Sequence, residues 1–207
     1  KYLCDKCVSR IVINDTLFCA ECRARLPENS KICHPKTIAR LASVTQYDAP
    51  SAKKLIWLFK YRKINAALNP LSELISTYLS NLDFDFKDYK IIPVPLHPVR
   101  LRERGFNQAE AIGKIVAEKL HLDILPDALI KIKNTKIQAE TKTREGRAAN
   151  VLNCFAINPA RAREIVNQKI ILTDDIFTSG ATTLEAARIL KSAGAKSIII
   201  FTVAKGK

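Results

Sequence analysis

The side chains whose spacing carries the most chemistry are Asp174 and Asp175. They stand between the apolar run Ile170-Ile171-Leu172-Thr173 and the small, hydroxyl-rich stretch Thr178-Ser179-Gly180-Ala181-Thr182. Two adjacent carboxylates can accept hydrogen bonds from two ribose hydroxyls. Thr178, Ser179, Gly180, Ala181 and Thr182 offer backbone N–H and hydroxyl donors to a phosphate, and a helix beginning there adds the positive end of its dipole. Gly180 gives the backbone freedom to curl round an anion. Acids for hydroxyls and a loop for an anion together suit a phosphorylated sugar.

Two other groups of residues have ligand-like spacing. Five of the six cysteines fall before residue 34, and Cys4-x2-Cys7 and Cys19-x2-Cys22 are separated by eleven residues. Four thiolates round Zn²⁺ at ~2.3 Å make a closed, structural site. In so small a segment, ligation supplies folding free energy on the order of 10 kcal/mol. Disulfides are the alternative and need an oxidising compartment, for which Lys1 and its followers offer no export pattern. Cys33-His34 is a substitute ligand pair or, on the preferred reading, a separate feature just past the ribbon, and Cys154 is a small core residue. The second group is Arg100, Arg102 and Arg104, ahead of Gly105 and after the proline-rich segment Pro93 to Pro98. Guanidinium forks beside helix-terminal N–H groups hold pyrophosphate, with Arg104 the chosen contact. A solvated basic loop is the alternative. His97, between prolines, reads as a structural residue of that loop.

Certain elements must position these groups. Thr182 and Glu185 have capping-box spacing, which predicts a helix from Thr182 with Leu184, Ala187 and Leu190 on its apolar face and Gly194 at its end. Ser197 to Val203 is a second buried strand, so the acid-bearing strand opens a βαβ unit with the acids at its carboxyl end. Ile91 to Val94 reads as a further strand, followed by a stiff proline loop and a helix over Asn107 to Leu120. Residues 51–63 are an amphipathic helix, with Leu55, Leu58 and Phe59 inward and Lys53, Lys60 and Arg62 largely elsewhere. Its Trp57 and Tyr61 are a stacking platform for bases or, as preferred here, ordinary packing. A helix covers Leu71 to Leu79. Residues 133–150 are polar and without sustained period, as in a flap. Strand character resumes over Val151 to Ile157.

The run ILTDDIFTSGATT resembles the ribose-phosphate motif of type I phosphoribosyltransferases. With IIPVPLHPVRLRERGFNQAE (91–110) and the paired CxxC motifs, the resemblance narrows to the ComF family, associated with DNA uptake and competence, and it extends from Cys4 to about Ala204. It implies an α/β parallel-sheet domain over 45–207, behind a zinc ribbon over 1–36. It further implies that Asp174 and Asp175 hold ribose hydroxyls, that residues 178–182 cradle a 5′-phosphate, and that the segment after strand 91–94 is a pyrophosphate loop. Phosphoribosyl diphosphate with Mg²⁺ is the implied ligand. Residues 133–150 become a hood over the reaction centre, with Gln138, Arg144 and Asn150 at recurring polar positions. The implied zinc is structural, held by Cys4, Cys7, Cys19 and Cys22. The acceptor of an enzymatic pentosyl transfer is unnamed by any residue pattern, so three readings stay open. They are a transferase in DNA uptake, a single-stranded-DNA-binding competence factor working with a competence helicase, and a salvage enzyme.

Composition agrees with one core and a small appendage in 207 residues. The net charge is +14, and residues 1–65 hold 13 Lys/Arg against 5 Asp/Glu, which suits polyanionic partners or, as the alternative, a solvated basic surface. No apolar run approaches the ~20 residues of a membrane span. The chain contains no Met. A cytoplasmic setting without membrane insertion is the expectation.

Overall fold

The computed structural model describes residues 5–26, 28–29, 33–34, 37–61, 67–135 and 144–206. Its strands are β1 (Leu17–Cys19), β2 (Arg40–Gln46), β3 (Tyr89–Pro93), β4 (Leu129–Lys131), β5 (Phe155–Ile157), β6 (Lys169–Phe177) and β7 (Ser197–Lys205). Its helices are α1 (Asp5–Val8), α2 (Pro50–Tyr61), α3 (Leu68–Asn81), α4 (Pro98–Arg104), α5 (Gln108–Leu120), α6 (Arg144–Val151) and α7 (Ala181–Ser192). One sheet has the order β1-β2-β7-β6-β3, and β4-β5 is a separate antiparallel pair. β2, β7, β6 and β3 run parallel, while β1 adds to β2 antiparallel.

The parallel strands are near-continuous apolar runs because both faces of the sheet are covered. On one face Leu55 and Phe59 of α2, Ile75 of α3 and Ile112 of α5 pack with Ile91, Ile171, Ile199 and Phe201. On the other, Leu190 of α7, Leu129 of β4 and Phe155 of β5 pack with Ile92, Leu172 and Ile200. The chain therefore leaves β3 for one face and adjacent β6 for the other. Divergent connections at the carboxyl ends of neighbouring parallel strands open a crevice there, where ligands of open α/β sheets bind.

Several expectations need adjustment. The arginine segment is a short helix, α4, because Pro98 occupies its first turn, His97 Nδ1 accepts from the Val99 amide at 3.4 Å, and Gly105 closes it at φ 80°. His97 is thus a helix cap. Val151 ends α6, so strand character begins only at Phe155. The N-terminal segment is joined to the main sheet through β1, with Leu17, Cys19 and Leu26 in the shared core. Tyr78 Oη also donates to Thr16 O at 3.1 Å, and Asn29 Oδ1 accepts from the Leu17 amide at 2.7 Å. α2 buries Leu55, Ile56, Leu58 and Phe59 and leaves Trp57 48 % exposed, so this ring is not core packing. Cys154 is fully buried, as a core residue. No helix among the described residues is long and apolar enough to cross a membrane.

Candidate functional site

β6 runs on to Phe177 because β7 continues to Lys205 and pairs Asp174 with Thr202 and Phe177 with Lys205. Asp174 and Asp175 therefore sit within the strand's carboxyl end, where the pleat sends successive side chains to opposite faces. Asp175 is 8 % exposed and its Oδ2 lies 2.8 Å from Lys60 Nζ, at the end of α2. Asp174 Oδ1 accepts from the Asp175 amide at 2.8 Å. Burial first, and the Asp175 carboxylate second, push Asp174 up to about 7, against the restraint of that amide, Lys60 and Lys131. Burial also lowers Lys131, which feels Asp174 as a raising charge. Two adjacent carboxylates, one paired with Lys60 and the other with its proton held more tightly than usual, suit hydroxyl donors or a cation.

The folded chain keeps the Asp174 proton up to about pH 7, whereas an unfolded Asp releases it near ~3.9. The folded state thus binds more protons between those values, and stability falls as pH rises across that window. Asp174→Asn should flatten that dependence and be the more stable form at pH 8, by about 1–3 kcal/mol. Urea denaturation at pH 5 and pH 8 measures both.

The loop after β6 is shaped by Gly180, which caps α7 at φ 79°. A Cβ there would lie 2.5 Å from Phe177 Cζ in a backbone region closed to most side chains. Gly180→Ala is expected to cost about 2–4 kcal/mol from the left-handed backbone and overpacking, read as a lower denaturation midpoint. α7 begins at Ala181, and the capping box expected from Thr182 and Glu185 does not form. Glu185 is instead buried away from the helix start, accepting from the Asn153 amide at 2.8 Å and from Arg188 Nε at 2.8 Å. Ser179 Oγ accepts from the Ala181 amide at 3.4 Å. First-turn helix amides have no intrahelical acceptor, so they remain the donors on offer at this end.

Across from the acids stands the arginine side. Asn107 caps α5 and its Nδ2 donates to Val94 O at 3.1 Å, tying the helix start to the end of β3. Arg100 and Arg104, one helical turn apart, face the same cleft, while Arg102 is exposed. Arg104 Nη1 donates to Gln108 Oε1 at 2.7 Å. That bond fixes the Gln108 amide, which is 2 % exposed and whose Nε2 has no partner among the described residues. The cleft encloses about 190 Å³, and Lys60, Arg100, Arg104, Gln108, Asp174, Asp175 and Thr182 are all on its wall. Ser179 and Ala181 instead line a neighbouring, more apolar hollow of about 500 Å³ with Ala148, Val151 and Leu184. Thr178 offers its carbonyl to Arg23 Nη2 at 2.5 Å.

Sequence reasoning missed Lys60, Gln108 and Lys131. Lys60 reads from the helical pattern as one more outward cation, and only the placement of α2 over the carboxyl end of β6 turns it inward. Gln108 directly follows a helix cap, where a polar residue is unremarkable. Gln138 lies outside the described residues, as does the side chain of Arg144.

Among the described residues, two of the expected zinc ligands, Cys19 and Cys22, gather with Cys33 and His34. Ligand atoms of Cys19, Cys22, Cys33 and His34 all lie within 4.8 Å of one another, and Cys22 Sγ is 3.6 Å from Cys33 Sγ. Such spacing fits sulfurs sharing a tetrahedral ion with ~2.3 Å bonds. His34 Nε2 is buried with no hydrogen-bond partner among the described residues, as a ligand atom facing an ion would be. The hydrogen-bonding contact with Cys22, then burial, pushes Cys33 up to about 11, a packing of thiols that a divalent cation would relieve. Cys33-His34 therefore joins Cys19-x2-Cys22 rather than standing apart. Cys7 is not in this group, and Cys4 lies outside the described residues.

Comparisons with known proteins agree with this architecture. Residues 107–207 match the phosphoribosyl transferase domain family. The chain is 32 % identical over 152 residues to competence protein ComFC of Bacillus subtilis (73 % of this chain, 58 % of that one). It is 30 % identical over 135 residues to ComFC of Streptococcus pneumoniae (65 % and 56 %). With DNA utilization protein YhgH of Escherichia coli K12 the identity is 26 % over 213 residues, covering 98 % of this chain and 90 % of the relative. The chain thus spans little more than half the length of the ComFC proteins it matches. With its parallel sheet, its acid-bearing β6 and its cysteine cluster, the chain belongs to the ComF family, on a type I phosphoribosyltransferase fold.

Proposed function

We propose that the cleft at the carboxyl ends of β3 and β6 binds phosphoribosyl diphosphate. The observation that carries this is the meeting of an acid pair, Thr182 in the first turn of the glycine-capped helix α7, and two arginines round one hollow, with Ser179 and Ala181 in the hollow beside it. Asp174 and Asp175 take the ribose hydroxyls, residues 178–182 take the 5′-phosphate, and Arg104 with Arg100 takes the pyrophosphate. Lys60 holds Asp175 in place and offsets its charge. Asp174 and Asp175 would hold Mg²⁺, which would supply positive charge against the departing pyrophosphate. The two adjacent carboxylates on the cleft wall supply the oxygen ligands such an ion takes. If the bond at C1 of the ribose breaks, positive character grows on the sugar, which the carboxylates stabilise, while the guanidinium groups stabilise the pyrophosphate. A structural Zn²⁺ belongs to Cys19, Cys22, Cys33 and His34.

The cellular setting we infer is DNA uptake or processing in the cytoplasm, supported by the competence and DNA-utilization names of the relatives. Single-stranded DNA and a competence helicase are partners on this reading, and the +14 net charge favours a polyanion. Salvage metabolism is the weaker alternative, since it gives the cysteine cluster no use. Calorimetry with phosphoribosyl diphosphate and Mg²⁺ tests the pocket. Saturable binding at one site per chain, competed by ribose 5-phosphate, is the expected result, and heats indistinguishable from dilution would reject it. Titration with single-stranded DNA at several salt concentrations tests the second role, for which log affinity should fall steeply with log salt.

A further inference from the structure

Cys22 is followed directly by Arg23, whose side chain reaches the opposite end of the sequence. Its Nη2 donates to Thr178 O at 2.5 Å and its Nη1 to Gly206 O at 3.4 Å, while the guanidinium carbon lies 5.8 Å from the Phe177 ring centroid. Gly206 in turn donates to Phe177 O at 2.8 Å. One guanidinium thus clasps the exits of β6 and β7 together. The Phe177 ring it touches is the surface against which Gly180 packs, where a Cβ would have no room. Arg23 itself is fixed from behind. Its amide donates to Cys19 O at 2.9 Å, Ala24 O accepts from the Cys19 amide at 2.9 Å, and its φ is 65°. A non-glycine residue in that region is held there by its surroundings. Here these are the turn that carries Cys19 and Cys22.

We propose that Arg23 is a positioning residue that couples the cysteine–histidine cluster to the loop of residues 178–182. Closing the cluster round a metal fixes the turn, the turn fixes the guanidinium, and the guanidinium holds the Thr178 carbonyl and the Phe177 ring in the geometry that Gly180 requires. By linkage, an anion bound at the loop and a metal bound at the cluster favour each other. Lysine would not reproduce this, because two carbonyls and a ring are engaged by one planar, multi-donor group. The link to anion binding rests on the reading of the loop given under Proposed function, whereas the link between metal and loop order does not.

Hydrogen exchange on the full chain separates the two. Zinc-loaded and chelator-stripped wild type are compared with Arg23→Gln and Arg23→Lys in both states, following peptides over 177–184 and 198–203. Stripping zinc from wild type should speed exchange of the loop peptide about tenfold, within the usual range of coupling between sites. Arg23→Gln and Arg23→Lys should show that faster exchange with zinc still bound, and stripping them should add less than about twofold. The 198–203 peptide should be accelerated less than the loop peptide in stripped wild type and should stay protected in the zinc-loaded variants. An unchanged loop peptide on stripping, equal acceleration on stripping wild type and variants, or a loop peptide accelerated no more than 198–203 would each overturn the coupling. Ribose 5-phosphate affinity should fall by the same factor in stripped wild type and in zinc-loaded Arg23→Gln. A wild type that binds no ribose phosphate would refute the assigned function, yet the exchange result would still decide the coupling.

Discussion

Replacing Asp174 and Asp175 together by Asn should weaken binding of phosphoribosyl diphosphate with Mg²⁺ by at least about 100-fold. Each carboxylate accepts a hydrogen bond from a ribose hydroxyl on this account, and a hydrogen bond to a charged group contributes about 1.5–3 kcal/mol. Two such losses, with the charge that attracts the cation also gone, give a factor of that order or larger. Asn is the informative replacement because it keeps volume and one acceptor, so cavity effects stay small. The single variants should differ. Asp175→Asn strips Lys60 of its 2.8 Å partner and leaves a cation on the cleft wall, so part of its loss would be returned as attraction for phosphate. Asp174→Asn removes the group already near neutrality at pH 7, so its loss should grow as pH rises from 6 to 8. Calorimetry on the three variants at both pH values checks the pattern. Affinities equal to wild type would remove the acid pair from the site.

The second large effect is expected at the cysteine cluster. Structural Zn²⁺ contributes about 10–16 kcal/mol of ligation free energy, and here the metal-bearing segment also supplies β1 and buried core residues, Leu17, Cys19 and Leu26 among them. Chelation should therefore lower the melting temperature by about 10 °C or more, beyond the fraying of a tail. The cluster geometry makes the prediction residue-specific. Cys33→Ser and His34→Ala should each reduce bound zinc from one per chain as severely as Cys22→Ser, since their ligand atoms share the same 4.8 Å group. Elemental analysis of the purified variants gives the answer. Full zinc in Cys33→Ser/His34→Ala, with loss in Cys4→Ser/Cys7→Ser, would restore the pairing suggested by the two CxxC motifs.

These two sites show what the chain made readable and what it concealed. The strand–loop–helix course round Asp174 was legible because its signals are local: an apolar run, a glycine, a 3.6-residue period and a closing Gly194. β3 and α5 were legible for the same reason. The capping box was misread because Glu185 has stronger partners in Arg188 and the Asn153 amide, and Asn153 is 32 residues away in sequence. Lys60 and Gln108 became site residues only when α2 and α5 were set against the carboxyl end of β6. That placement is tertiary, and no spacing within either helix encodes it. The cysteine cluster followed the same rule. CxxC spacing points to the two motifs, whereas the approach of Cys33 and His34 to the turn after β1 is set by the path of the chain. The arginine helix lay between these cases, since Pro98 and Gly105 bracket a helix as plainly as they bracket a loop, and the proline-rich lead-in hid it.

A crystal structure of the magnesium-loaded protein with ribose 5-phosphate tests the central claim most directly. The account predicts the phosphate on the amides and hydroxyls of residues 178–182 and the 2- and 3-hydroxyls within hydrogen-bonding distance of Asp174 and Asp175. The side of the cleft bearing Arg100 and Arg104 should remain open for pyrophosphate. A phosphate seated instead on Arg100 and Arg104, with no sugar oxygen near either carboxylate, would contradict it.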